Sequence, residues 1–331
     1  MDKKNKSLFN SFLLLLTAII WGTSFVAQSA GMEYIGPFTF SVIRYIIGGT
    51  VLIPVIIIID KLNKNKAYKS HENMTDDENV ASVGESSYKK KNGNFIISVK
   101  YGIVCGVILC AASNFQQMAM LHASAGKAGF ITAFYIILVP IVSIFFKKKT
   151  SPVIWFCVLL ALVGLYFLCI GRGGSYVFEI SDIQLLICAL IFSFHIIFVD
   201  YANTRDVNGV VISCTQFYTA AIISAFFVYP MDGVVYNMLP TMDTVMKAMP
   251  ALCYSGIMSC GVAYTLQIIG QKDVNPTVAS LIMSLESVVS AISGFLILHQ
   301  KLSADEIIGC VIMFVAIILA ELPIKSKTEK T

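Results

Sequence analysis

Three ionisable side chains lie inside long apolar runs of this sequence: Glu286 in ASLIMSLESVVSAISGFLIL, His195 in LLICALIFSFHIIFVD and Arg44 in FTFSVIRYIIGG. An ionisable group at bilayer depth costs about 2.5–3.5 kcal/mol on insertion scales, so each needs a partner or a function. Glu286 stands about 10 residues into its run, roughly 15 Å along a helix rising 1.5 Å per residue. That is near the midplane, where transporters place their sites. Burial disfavours its charge, which suits a proton-coupling group or a neutral hydrogen-bond donor; the competing reading is a structural carboxyl that closes a network. His195, with Phe192 three residues before it and Val199 four after, has the chemistry of a proton relay near neutral pH, against a reading as a packed core histidine. No second His or Cys stands at ligand spacing, so no metal is expected. Arg44 reads first as structural, snorkelling to the interface or holding a carboxylate such as Glu33. Alternatively its guanidinium holds an anion, as an amino acid or other carboxylate substrate would offer.

Uncharged polar residues add a geometric argument. Trp21, Ser24 and Gln28 recur at i, i+3 and i+7, as do Tyr264, Gln267 and Gln271. That spacing sets each trio on one helical face. Asn114 with Gln117, and Thr132 with Tyr135, add i, i+3 pairs. Lipid offers such groups no partners, so these faces turn to a wet cavity or to each other. Interhelical hydrogen bonding is the bland alternative, averaging only about 0.6 kcal/mol in one measured membrane protein. Amides among aromatic rings suit an amphipathic small molecule. The expected cavity lining is Glu286, Gln267, Tyr264, Asn114, Gln117, Trp21, Gln28 and Tyr135, with Glu286 and His195 the candidates for proton coupling.

The elements that must position these residues follow from composition. Of 331 residues, 56% are hydrophobic and only 13% charged, about half the charged share of a soluble domain. A span needs about 20 apolar residues. Apolar runs near 9–30, 38–59, 95–119, 126–146 and 152–170, then 181–200, 210–229, 248–270, 276–298 and 303–322, predict ten transmembrane helices. The first run is longer than a signal-peptide core and reads as a span. Pro37, Pro152 and Pro276 mark helix starts, whereas Pro54 and Pro140 fall within spans and predict kinks. Gly48 and Gly49, Gly102 with Gly106, Gly256 with Gly261, and Ser287, Ser290 and Gly294 predict close helix approaches.

With both termini cytoplasmic, eighteen of the 24 Lys and Arg residues fall on the inner side and four outside, which is the positive-inside pattern of a cell-membrane protein. The tails are then 1–8 and 323–331, and the polar stretch 60–94 reads as a disordered cytoplasmic linker. The nine cysteines lie in apolar runs without a CxxC pair and read as small buried hydrophobes. Five spans per half require the second half, 181–322, to start on the opposite side from the first, 9–170. That is the inverted-repeat condition. A shift of 151 residues sets Gln116 on Gln267, Ala128 on Ala279, Ile131 on Ile282 and Tyr135 on Glu286.

The stretches IIWGTSFVAQSAGMEYIGPFTFSVIRY (19–45), AGFITAFYIILVPIVSIFF (128–146) with LALVGLYFL (160–168), and GVAYTLQIIGQKDVNPTVASLIMSLESVVSAISGFLILHQKLSADEIIG (261–309) resemble the EamA family of the drug/metabolite transporter superfamily. The resemblance implies an all-α integral membrane protein that moves metabolites through a central cavity between its halves. Where that family often has Gly-Glu before the last loop, this chain has His299 and Gln300; where it often has Glu-Pro in the ninth helix, Ser287 follows Glu286. The second departure implies a straighter ninth helix.

The function these readings converge on is secondary transport of small metabolites by alternating access, as export of amino-acid-like compounds, with nucleotide- or lipid-linked cargo as the alternative. The partners expected are a small-molecule substrate, the lipid bilayer and, as a candidate, a second copy of the chain; nucleic acid and cofactors are not expected. An intramembrane enzyme would need a nucleophile and base in register, and Ser255-Gly256 stands without GxSxG or HExxH. A sensor or scaffold would carry a soluble output domain. No GxxxxGK[ST] loop is present, so ATP is not the expected energy source.

Overall fold

The computed structural model describes residues 3–69, 94–146, 151–169, 179–272, 274–298 and 304–321, and the regular structure among them is all helical. In chain order the helices are α1 (Lys3–Gly31), α2 (Pro37–Lys69), α3 (Phe95–Met120), α4 (Ala125–Thr132), α5 (Tyr135–Phe145), α6 (Pro152–Cys169), α7 (Ile180–Asn203) and α8 (Gly209–Phe227). Then come α9 (Met242–Cys253), α10 (Thr265–Gly270), α11 (Pro276–Met283), α12 (Leu285–Leu298) and α13 (Ala304–Glu321). Two wider π-helical stretches, Val228–Val235 and Tyr254–Tyr264, continue α8 and join α9 to α10.

Eight of the resulting helical units are long and apolar enough to cross a membrane: Lys6–Gly31, Pro37–Leu62, Phe95–Met120, Ala125–Phe145, Ile180–Asn203, Gly209–Val235, Met242–Gly270 and Pro276–Ile297. Two further apolar helices, Pro152–Phe167 and Ile307–Ala320, are shorter. The protein is a multi-pass membrane protein.

Local chemistry explains the boundaries. Pro37, Pro152 and Pro276 each open a helix, because the N–H a proline lacks has no intrahelical partner in the first turn. Asn94, Ser124 and Asn275 cap helix starts by accepting the backbone N–H of Ile97, Lys127 and Thr277 at 3.1, 3.2 and 2.9 Å, which satisfies donors the helix leaves open. The α2 helix runs through Pro54 and on to Lys69, so the first ten residues of the stretch read as a linker are helical. Lysine is a good helix former, and the span simply continues past its apolar part. Residues 70–93 of that stretch, residues 1–2 and 322–331, and His299 and Gln300 lie outside the described residues, while 3–8 of the expected N-terminal tail belong to α1.

Two spans are broken rather than kinked or straight. In the fourth, α4 stops at Thr132 and α5 begins at Tyr135, upstream of Pro140. The turn is tightened by bonds from Ile136 N to Ala133 O and from Ile137 N to Phe134 O, both 3.0 Å. In the ninth, α11 stops at Met283 and α12 begins at Leu285, which overturns the straighter helix expected there. No proline is needed. Ser280, Ser284 and Ser287 each donate to the carbonyl three residues earlier, at 2.9, 2.7 and 2.7 Å, and such bonds compete with the helical ladder and bend it.

Small residues set the close contacts. A Cβ placed on Gly22 of α1 would stand 2.5 Å from Val289 Cβ and 2.6 Å from the Glu286 carbonyl oxygen of α12. Gly106 presses α3 onto α8 in the same way, 2.7 Å from Gln216 O. Gly48 meets Cys260, and Gly256 meets Ile47, where α2 crosses the π-helical stretch. The contacts at Gly48, Gly106 and Gly256 match the close approaches read from the small residues there, whereas the one at Gly22 was not among them. Asp232, itself fully buried, accepts Phe38 N at 3.2 Å, Thr39 N at 2.6 Å and Thr39 Oγ1 at 2.7 Å. One carboxylate thereby caps the start of α2 from the far end of the seventh span.

Candidate functional site

The two helix breaks face one another across a cavity that encloses about 430 Å³ of empty space, part of it open to solvent. Its wall is built from α1 (Trp21, Phe25, Gln28), α3 (Gln116), the α4–α5 break (Thr132, Tyr135), α7 (Phe192, Ile196), the π-helical stretch and α10 (Ser259, Tyr264, Gln267), and α12 (Glu286). Apolar walls with a few placed polar groups are the make-up of a ligand pocket.

At its centre Tyr135 Oη donates to Glu286 Oε1 at 3.0 Å. Glu286 is 3% exposed, and among the described residues no cation stands within ion-pair distance of it. Gln116 Nε2 donates to Thr132 Oγ1 at 3.2 Å, so the break that supplies Tyr135 is also tied to α3. The Trp21 and Tyr264 rings meet at 4.7 Å between centroids, and Trp21 Nε1 donates to Ser259 O at 3.4 Å. That carbonyl belongs to the π-helical stretch, a helix form that occurs frequently at functional sites.

Six of the eight residues expected to line the cavity do so: Glu286, Gln267, Tyr264, Trp21, Gln28 and Tyr135. Asn114 does not. It donates to Ser224 Oγ at 2.8 Å and Cys110 Sγ at 3.2 Å, holding α3 to α8. Gln117 is one layer behind the wall, donating to Gln28 Oε1. Gln116, one residue earlier and about 100° round the helix, takes the cavity position; its 151-residue register with Gln267 was the signal that marked it. His195 also stands behind the wall. It is fully buried, with Nε2 3.1 Å from Gln216 Oε1 and its ring edge-on to Phe192 and Tyr264. Gln271, expected on the Tyr264 face, is buried away from the cavity wall. Phe25, Phe192, Ile196 and Ser259 went unread because apolar and small residues mark cavity and lipid faces alike.

Arg44 neither snorkels nor pairs with Glu33, which is exposed. It is 4% exposed, donates to Gln28 Oε1 at 2.6 Å and to Tyr45 Oη at 3.0 Å, and lies over the Phe40 and Tyr45 rings at 5.7 and 4.8 Å. Gly31 and Gly36 border the turn between α1 and α2, and that turn folds Arg44 back onto α1 instead of toward water.

At one end of the bundle Lys127, in the first turn of α4, pairs with Glu179 at 3.0 Å and Asp182 at 2.9 Å at the start of α7. The Lys127 hydrogen bond to Glu179 holds that carboxyl below its ordinary value, with the ammonium charge and Ser181 adding to the effect.

A helical bundle crossing the membrane repeatedly, with an amide-, ring- and carboxylate-lined cavity at two helix breaks, defines the membrane transporter class. The chain belongs to the EamA-like transporter family of the drug/metabolite transporter superfamily, whose model matches residues 8–170 and 179–322. It is similar to an uncharacterized transporter of Archaeoglobus fulgidus, 26% identical over 96% of this chain and 87% of that one. A second uncharacterized transporter, of Clostridium kluyveri, is 20% identical over 92% of this chain and 91% of the other. A crystal structure with a TM-score of 0.67 at 18% identity, covering 94% of this chain and 96% of its own, has the same fold. These relationships indicate a transporter rather than an enzyme.

Proposed function

We propose that the protein is a secondary transporter that exports small amphipathic, amino-acid-like metabolites by alternating access. The observation that carries this reading is the cavity at the two helix breaks, which combines a buried carboxylate, three glutamine amides and aromatic walls. Its ten helices form two inverted five-helix halves, 9–170 and 181–322, with both termini cytoplasmic in the cell membrane. Three facts support that plan. The caps Ser124 and Asn275, the breaks after Thr132 and Met283, and the bonded pair Tyr135 and Glu286 all recur at the same 151-residue offset. The family model also matches each half. Broken helices meeting at a repeat interface are where transporters of inverted-repeat design place their sites. Glu286 is the coupling group, accepting a proton when substrate leaves, and His195 supports Tyr264 from behind.

The test compares cells that overproduce the wild type or Glu286→Gln at equal membrane levels, with metabolites measured inside the cells and in the medium. A compound that moves outward only with the wild type names the substrate and puts Glu286 in the mechanism. Movement with both makes Glu286 structural. No shift for any compound, with the protein in the membrane, removes the export reading.

A further inference from the structure

Two opposite charges are buried near the cavity, and neither has an ionic partner among the described residues. Glu286 is on the wall itself. Arg44 reaches the wall through one residue, Gln28, and its Nε has no hydrogen-bond acceptor. The two differ in one respect. A carboxylate can discharge by taking a proton, whereas a guanidinium stays charged at any pH a protein meets. The empty site therefore holds a permanent, incompletely compensated positive charge next to Gln28. An anionic group brought into the cavity would relieve it, and attraction in such an environment is stronger than in water.

Arg44 also decides which way the Gln28 amide points. An arginine only donates, so the atom 2.6 Å from Arg44 Nη1 must be the amide oxygen. Gln117 Nε2 donates to that same oxygen. The amide nitrogen is thereby turned to the other side, where one N–H meets Ser24 Oγ at 3.2 Å and the second is free for the cavity that Gln28 lines. At the other pole Glu286 offers a carboxylate, and Gln267 Oε1, on a side chain 1% exposed, has no partner.

We propose that the cavity recognises its substrate at two poles, an ammonium on Glu286 and Gln267 Oε1 and a carboxylate on the Gln28 amide, with Arg44 the positioning residue that orients and polarises Gln28. The proposal rests on the transporter reading and adds the charge pattern its cargo must carry. A compound with only one of the two charges leaves one pole uncompensated and binds more weakly.

Trp21 is in the cavity wall and Trp155 is not, so a Trp155→Phe background makes Trp21 fluorescence a direct report of occupancy. The purified full chain in lipid nanodiscs would be titrated with L-leucine and L-phenylalanine, with their methyl esters, which keep only the amine charge, and with their N-acetyl forms, which keep only the carboxylate. The free amino acids are expected to bind at least about tenfold tighter than either blocked form, a margin set by loss of one charged hydrogen bond. Replacing Arg44 risks the fold, so the informative variant is Gln28→Glu. Its new carboxylate sits where Arg44 and Gln117 already donate, which keeps the protein folded, as a retained thermal midpoint would verify. It removes the cavity N–H and neutralises Arg44. This variant is expected to lose at least about tenfold affinity for the free amino acids while the cationic esters bind no more weakly than to the wild type. Esters that bind as well as free amino acids, Gln28→Glu behaving as wild type, or no response to any of the six probes would each overturn the two-pole proposal. Export of an uncharged or singly charged metabolite by the wild type would overturn it while leaving the transporter reading intact.

Discussion

Tyr135 and Glu286 come from the break of the fourth span and the start of α12, 151 residues apart in sequence, and the tyrosine hydroxyl donates to the carboxylate at 3.0 Å in the middle of the cavity. Each stands immediately beyond a break in its span. The bond therefore joins the two interrupted helices at the point where each is least held by its own ladder, and both residues line the cavity.

Tyr135→Phe removes that hydrogen bond and keeps the ring. A hydrogen bond to a charged group contributes about 1.5–3 kcal/mol. The expected outcome is a transport rate at least tenfold lower with the thermal midpoint of the purified protein little changed, because the ring still packs. Unimpaired uptake into or efflux from proteoliposomes would show that the bond is incidental.

Gly22 bears on the same group from α1. Gly22→Ala drives a methyl to 2.6 Å from the Glu286 carbonyl oxygen and 2.5 Å from Val289 Cβ, both on a packed helix that cannot yield as a side-chain tip does. Overpacking of this kind costs about 1–3 kcal/mol. Lower thermal stability in detergent together with impaired transport is expected, and Gly126→Ala, where nothing stands within 4 Å, serves as the comparison that keeps both.

The Asp232 cap makes a stability prediction remote from the cavity. Asp232→Ala leaves Phe38 N and Thr39 N without the acceptor that joins α2 to the end of the seventh span. Loss of an N-terminal cap costs about 0.5–2 kcal/mol. The thermal midpoint is expected to fall while affinity for the transported compound, measured at a temperature well below it, stays the same.

Glu179 gives a pH dependence outside the membrane. Its carboxyl is held below the ordinary value of 4.5 by the Lys127 hydrogen bond and charge. A depressed value in the folded state means the contribution is fully present above the unfolded value and lost as pH falls through the folded one. Thermal stability should therefore be flat from neutral pH down to about pH 5 and decline below about pH 4. In Glu179→Gln this part of the decline disappears, and a curve identical to wild type would show that Lys127 is held by Asp182 alone.

Several features were legible in the residues alone because the physics behind them is local. A proline without an N–H opens α2, α6 and α11 where the sequence puts it. The lack of water partners in lipid gathers Trp21, Gln28, Tyr264, Gln267 and Glu286 onto inward faces, and all five line the cavity. The ninth-span break at Ser284 was not read, because serine is unremarkable in a membrane helix until its hydroxyl is seen bonding back along the chain.

What the sequence by itself determined is therefore the set of apolar helices, their starts, and the polar groups that must avoid lipid. What only the tertiary structure decided is the rotation of each helix about its axis and the layer each polar group occupies. In a soluble helix the polar face reports that rotation, but here both the lipid face and the packed face are apolar. Neighbouring glutamines on α3 show the consequence: Gln116 lines the cavity while Gln117 lies behind Gln28. Arg44 shows it again, because only the folding of α2 onto α1 brings its guanidinium to the Gln28 amide rather than to water or Glu33.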